Sequence, residues 1–423
     1  MAANGFTKSQ ITFFEKVIEG FNATNVAARN CEVFEAPASE VEHSGLTIRR
    51  PVPMIAEITT GRDVSADYKD LKELTVPMDI AETDILNHAF KLNALELADP
   101  SRRDKAAKAA SQALSTKVDT LVSDEVRASG SLIACETGAM TSYEHLSRGE
   151  VALFEREVDV AADRYLGLTP SMAQKMANDL GQRATDNERD RSAYERSRLP
   201  MVGGFETLRS NVITSLTGSA SAGVTVNGAN QRKTPTVFDG TNSAAADNRS
   251  QTLAVSAGHG MVAGDRFTIA GVNAIGMISK KDTGRLQTFV VLSVNVNDLT
   301  ISPAIIPVDQ AATEFKKYGN CTTTPANGAA ITLLNTDTVS PSIFWVKRAV
   351  NLFHGKLAVA DLSPTVAVMR AKTDSGIEIV FARQGNIDDL VAKYRLSCWV
   401  NAHVLEPQMA GVYLPNQNAA FGG

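Results

Sequence analysis

The chain has 423 residues, 43% hydrophobic and 21% charged, with a formal net charge of -5. That length is beyond the roughly 250–300 residues at which one core stops growing, so two or more folding units are expected, and the composition is that of a globular rather than a disordered chain. A protein that grips nucleic acid through its phosphates carries a basic surplus, and this one carries an acidic one.

The first segment, 7–30, has Ile11, Phe14, Val17, Ile18 and Phe21 at helical spacing, with Thr7 as a cap. It reads as a short amphipathic helix, either an ordinary core helix or an arm that docks on a neighbour. The N-terminus lacks a basic region followed by an apolar stretch, so no signal peptide is expected. Residues 31–80 change character. Pro37, Pro51, Pro53 and Pro77 break any helix, and extended pieces at Leu46–Arg50 and Glu57–Thr60 flank Gly61, Arg62 and Asp63. The pattern predicts a long hairpin, polar enough to project from the body.

Residues 99–129 carry the clearest helix. Asp99 suits the N-cap, Pro100 the first helical position and Gly130 the end. Ala107, Ala110, Leu114, Val118, Leu121, Val122 and Val126 form one apolar stripe, and at ~1.5 Å per residue the helix would span roughly 45 Å as a spine. Further helix is expected over 141–164, with Leu146, Val151, Leu153, Phe154 and Val158 as its apolar members. Thr169-Pro170 opens another helix, and the mixed-charge run at 183–198 reads as a solvated helix face laced with ion pairs.

From about 218 to 340 the composition shifts to Gly, Ser, Thr, Ala, Asn and Val, with Glu314 the single glutamate. Glutamate is a good helix former and is depleted in strands, so a change of fold class is expected here. Alternating pieces at 252–255, 266–269, 288–294 and 299–302 are separated by turn signals at Asp282-Thr283-Gly284 and Asn297-Asp298. They predict a small antiparallel barrel. Beyond 342, strands are expected at 365–373 and 377–384, joined at Asp374-Ser375-Gly376, and again at 392–404. Having no barrel of their own, these strands would pair with the region before 218. The β-block is then an insertion into an α+β domain.

Catalytic and metal signatures give little. His43, His88, His145, His259, His354 and His403 are scattered without a metal-ligand spacing, so no metal site is expected. Gly258, Gly260 and Gly264 precede a strand rather than a helix, which is wrong for a dinucleotide loop. The acidic set Glu155, Glu157, Asp159 and Asp163, and the pair Asp388-Asp389, read as caps and solvated faces. Cys31, Cys135, Cys321 and Cys398 are far apart in sequence and are expected as buried, reduced thiols. The basic doublets Lys280-Lys281, Lys316-Lys317 and Lys347-Arg348 lack interleaved aromatics, and in 218–340 nine basic and eight acidic residues nearly cancel. No run approaches the ~18 apolar residues of a membrane span. No enzyme activity and no cofactor are expected.

An ordered set of segments adds more. VGGFETLRS (202–210), GVTVNGAN (223–230), VAGDRFTIAGVNAIGM (262–277), LTISPAIIP (299–307), IFWVKRAV (343–350), FARQGNID (381–388) and GVYLPNQ (411–417) resemble, in order, segments of the coat proteins of P22-type short-tailed phages. The resemblance implies an α+β Hong Kong 97-type capsid fold with an inserted antiparallel β-barrel. Its parts would be an N-terminal arm and first peripheral segment (1–50), an extended loop (51–80) and the peripheral domain with its spine helix (81–130). The first part of the axial domain (131–217), the inserted domain (218–340) and C-terminal strands (341–423) would follow. It also implies hexamers and pentamers of one subunit in a closed shell around double-stranded DNA, bound without sequence specificity, with a scaffolding protein and a portal as partners and no membrane. Arg62 and Asp63 would meet adjacent subunits, as would Asp239, Asp247 and Arg249, the charged residues of a long inserted-domain loop (239–249) otherwise read as a surface excursion. A different phage or surface-layer structural protein with a β-rich adhesion module is the alternative.

Overall fold

A computed structural model describes residues 7–35, 47–56, 58, 62–63, 68, 72–93, 96, 99–159, 161–183, 199, 201–240, 246–309, 313–357, 366–386 and 391–418. In chain order the helices are α1 (Lys8–Thr24), α2 (Pro100–Ser129), α3 (Tyr143–Glu155) and α4 (Pro170–Arg183). The strands before the insertion are β1 (Glu32–Glu35), β2 (Thr47–Pro51), β3 (Thr75–Asp79), β4 (Ile85–Asn93), β5 (Leu132–Cys135), β6 (Arg164–Leu168) and β7 (Glu206–Arg209). Then come β8 (Gln251–Ala254), β9 (Arg266–Ile275), β10 (Asp282–Asn295), β11 (Asp298–Ser302) and β12 (Ile331–Leu333). The last are β13 (Ser342–Val346), β14 (Val350–His354), β15 (Ala367–Lys372), β16 (Glu378–Asn386), β17 (Val391–Val404) and β18 (Ala410–Leu414). The chain divides into two compact units.

The first unit takes in Met1–Ile48, Met78–Ser123 and Asn351–His403. Its sheet runs β1-β14-β17-β16-β15, with β4 also paired to the long β17. Chain ends therefore meet in one sheet, Phe90 opposite Tyr394 and Leu92 opposite Ala392. β4 alternates half-buried and exposed residues, the period-2 signature of a strand with one covered face. On the covered face, Phe381 stacks on Tyr394 at 5.7 Å and meets Phe13 and Phe14 of α1, each at 5.6 Å. Helix α1 ends at Thr24, and a 3-10 turn occupies Ala28–Asn30. Asp119 of α2 fixes that turn, accepting the backbone N–H groups of Val26, Ala27 and Ala28 at 3.0, 2.8 and 3.1 Å.

Helix α2 starts where its cap chemistry dictates: the Asp99 carboxylate accepts the Ser101 N–H at 2.9 Å, with Pro100 between. Of its expected stripe, six residues from Ala107 to Val126 are buried and Leu121 is half-buried. From Asp124 onward its residues group with the second unit.

The second unit takes in Arg49–Pro77, Asp124–Val350 and Val404–Gly423. One sheet runs β5-β18-β13-β6-β7, parallel at β5/β18 and β6/β7 and antiparallel on both sides of β13. This corrects the helix expected over 141–164. Helix α3 stops at Glu155, Glu157 turns the backbone with φ 61°, and β6 follows as a strand buried along its whole length. A strand covered on both faces shows no alternation, so its apolar run resembles buried helix. Val151 and Phe154, expected inside, face outward, while Leu146, Leu153 and Val158 are buried. The charged run at 184–198 lies outside the described residues.

The inserted region folds as the antiparallel order β12-β9-β10-β11-β8 around Phe267, Ile269, Phe289, Val291, Leu299 and Ile301. Its two edges are joined by one extended segment. Val226 donates to Ala329 at 2.9 Å and Asn227 donates to Ala254 at 2.9 Å, so 224–227 bridges β12's side to β8's and closes the barrel. Asp282-Thr283-Gly284 is not the turn that its sequence suggests. It lies within β10, and the turn precedes it, because β9 and β10 run on past their apolar pieces. The barrel leaves and rejoins its host at one stem, where Leu216 and Val339 exchange backbone hydrogen bonds of 2.8 and 3.0 Å. The C-terminal strands pair with strands before 218, as expected from their lack of other partners.

Candidate assembly surfaces

The long hairpin begins with β2, whose partner is β3 rather than the 57–60 piece; of that piece only Ile58 is among the described residues, and it is not in a strand. The base of the hairpin is anchored within the second unit. Val52 donates to Leu74 at 2.8 Å, Leu74 packs with Phe315 and Tyr318, and the Tyr318 hydroxyl donates to the Lys72 carbonyl at 2.8 Å. Beyond that anchor, Arg62 and Asp63 are exposed, and so are two large apolar side chains, Ile58 at 89% and Tyr68 at 85%. Scattered apolar residues on a surface need no explanation, and these two are the most exposed large apolar side chains among the described residues. Sequence reasoning singled out the charges of this hairpin and missed these two. The two stand, with Val64 and Leu71, among the mostly polar residues of 57–72, and nothing in that spacing sets them apart.

The inserted-domain loop is built differently. Asp239 is exposed, and 241–245 lies outside the described residues. Asp247 and Arg249 are brought together: Arg249 Nε reaches Asp247 Oδ1 at 3.1 Å and Nη2 reaches Oδ2 at 3.0 Å, the two-pronged geometry a guanidinium makes with a carboxylate. The remaining donors go to this chain's own backbone, Nη1 to the Val404 carbonyl at 3.0 Å and Nη2 to the Pro77 carbonyl at 3.2 Å. Burial would raise the Asp247 carboxyl; Arg249, with Lys233 beyond it, outweighs burial and holds it below the usual carboxylate range. This pair, as placed, ties the root of the loop to its own subunit.

Four of the five described histidines have structural partners, and the fifth, His354, is buried in β14. His145 Nδ1 accepts the Ser142 N–H at 3.2 Å at the start of α3, and His259 Nδ1 accepts the Met261 N–H at 3.0 Å. His403 Nε2 lies 2.7 Å from the Asp79 carbonyl, and His88 packs on Phe90. His43 lies outside the described residues. All four cysteines are buried thiols outside any disulfide, and burial pushes the Cys321 and Cys398 thiols up to about 12. Among the described residues no group of His, Cys, Asp and Glu is placed to hold a metal ion, and no helix is long and apolar enough to cross a membrane. A groove of about 540 Å³ opens on the first unit's sheet, against Ala89, Val380 and Ala382. Among the described residues the charged groups lining it are Lys91, Arg383, Lys393 and Arg395, all cations.

A sequence model of the family described as "P22 coat protein - gene protein 5" matches residues 1–416. The chain belongs to the P22 coat protein family. It is a major capsid protein, a structural subunit that self-assembles into a shell, and its place is the capsid of the virion. The mixed helix-and-sheet architecture with an antiparallel β-block between 218 and 340, read from the sequence, is the one observed in this coat protein. Among solved structures, the chain is similar to the CUS-3 coat protein I-domain, with 42% identity over 28% of this chain and 97% of that one and a TM-score of 0.23. It is also similar to a Mycobacterium phage Che8 structure (9% identity, 89% and 88% covered, TM-score 0.41) and to the capsid of cyanophage P-SCSP1u (12% identity, 91% and 86% covered, TM-score 0.41).

Proposed function

We propose that this coat protein assembles as hexamers and pentamers of an icosahedral precursor shell, on a scaffolding protein and around a portal, in the cytoplasm of the host bacterium. The shell then encloses the phage's double-stranded DNA. The protein acts through surfaces and not through catalysis. Family membership over residues 1–416 is the observation that carries this reading. The net charge of -5 supports a lumen that holds DNA loosely enough for it to move during packaging. In this reading 1–50 is the arm and first peripheral segment, 51–80 the extended loop, 81–130 the peripheral domain with its spine, 131–217 and 341–423 the axial domain and C-terminal strands, and 218–340 the inserted domain.

Subunit contacts are assigned to the hairpin through Ile58 and Tyr68, flanked by Arg62 and Asp63, and to the inserted-domain loop around Asp239. Asp247 and Arg249 shape the root of that loop. Each contact is weak, and a shell multiplies it because every subunit makes several. The test is assembly of Ile58→Asp and Tyr68→Asp chains with scaffolding protein, followed by light scattering and electron microscopy. Subunits that stay folded and fail to close shells are the expected result. Normal shells from both variants would remove the hairpin from the contact.

A further inference from the structure

Three consecutive residues at the end of α3 all reach into the inserted barrel. Glu155 pairs with Arg285 of β10, Oε1 to Nε at 3.0 Å. Arg156 is 4% exposed and enters the barrel's base. Its Nη2 donates to Gln287 of β10, and its Nη1 lies 3.4 Å from the Ile275 and Asn320 carbonyls and 3.2 Å from Gln408 Oε1 in the host. Glu157 Oε2 accepts the N–H groups of Ile278 and Ser279, both at 2.7 Å, in the turn between β9 and β10. The backbone joins in, with Met277 donating to the Arg156 carbonyl at 3.3 Å.

Two further observations show that the fit is built. Glu157 sits at φ 61°, a region glutamate rarely adopts, and its carboxylate lies against Gly276, where a Cβ would come within 2.7 Å of it. Strain of that kind persists where surrounding contacts hold it. The covalent stem at Leu216 and Val339 is not the barrel's whole attachment: Arg266 ties the start of β9 to the end of α2, and the Glu155–Glu157 contacts tie the far end of β9 and the turn after it.

We propose that Glu155-Arg156-Glu157 is a docking site on the host for the β9–β10 hairpin of the inserted barrel, a grip that holds this end of the barrel in place. Burial alone would raise the Glu157 carboxyl, but the Ser279 and Ile278 hydrogen bonds and the nearby Lys280 hold it below the usual range, so the charged form is the one that grips. What the grip does for a shell rests on the capsid reading above; the grip itself is a property of the single subunit.

The experiment uses the full chain as unassembled subunit and follows hydrogen exchange at Ile278 and Ser279 and tryptic cleavage after Lys280 or Lys281. Glu157→Gly relaxes the backbone and removes the carboxylate. If Glu157 were only a turn residue, the glycine would leave exchange and cleavage unchanged or slower, which would overturn the grip. The grip requires both to rise, about tenfold or more. Glu155→Arg is expected to speed cleavage, and Glu155→Arg with Arg285→Glu to restore it; absence of rescue counts against the pairing. The readout needs no shell, so failure of the wild-type chain to form particles would refute the capsid reading and leave the grip's result standing.

Discussion

At the scale of single residues, the second unit depends on buried arginines. Arg266 of β9 is fully buried, and its Nη2 donates to the Arg127 carbonyl and lies 3.5 Å from that of Gly130, at the C-terminal end of α2. A helix end leaves carbonyls without partners, and a cation there satisfies them and opposes the helix dipole. Burial pushes the guanidinium down to about 9, so the contact works against a desolvation cost. Arg266→Met removes the cation and that cost together but orphans the carbonyls; a loss of ~1–3 kcal/mol is expected. Arg266→Ala adds a cavity and should lose more, an ordering that urea denaturation of the subunit can check. Asp247 gives a pH test. Its folded pKa lies below its unfolded value, so its contribution is full above the ordinary carboxylate pKa of ~3.9 and disappears as pH falls through the folded value. The stability gap between wild type and Asp247→Asn should stay constant from about pH 7 to 5 and close below about pH 4. A gap that widens with acid would contradict the pairing with Arg249.

At the scale of elements, α1 and α2 are joined by one buried carboxylate. Asp119 Oδ1 accepts Ala27 and Ala28, and Oδ2 accepts Val26. Burial raises its pKa more than those three hydrogen bonds lower it, so the charge is costly there. An amide keeps one oxygen and sheds the charge. Asp119→Asn is therefore expected to be tolerated and Asp119→Ala to cost ~1–3 kcal/mol, read as faster proteolysis around residues 25–31. Equal behaviour of the two variants would show that the acceptor oxygens are dispensable. Elements with local signals were legible in the sequence. The caps and stripe of α2, the turn at Asp374-Ser375-Gly376 and barrel strands β8 to β11 follow from spacing and turn chemistry, whereas the three-residue β12 carries no such signal. β5 and β6 were hidden because both of their faces are covered.

At the scale of the whole molecule, the insertion matters most. Removing 222–338 leaves Arg156 without Gln287 and the Ile275 and Asn320 carbonyls, and leaves the Arg127 and Gly130 carbonyls without Arg266. Aggregated subunits or aberrant particles are expected from the deletion when imaged with scaffolding protein present; normal shells would show that the barrel is dispensable. The sequence by itself determined the mixed helix-and-sheet class, the long helix, the β-rich stretch after 218 and, through an ordered set of segments, the family. Those depend on local periodicity, on composition and on order along the chain. Only the tertiary structure decided which charges turn inward. Arg249 meets Val404 across 155 residues and Arg156 meets Gln408 across 252. A buried polar group is defined by partners that are distant in the chain, and no spacing rule along a single sequence encodes which distant carbonyl or amide will be there to receive it.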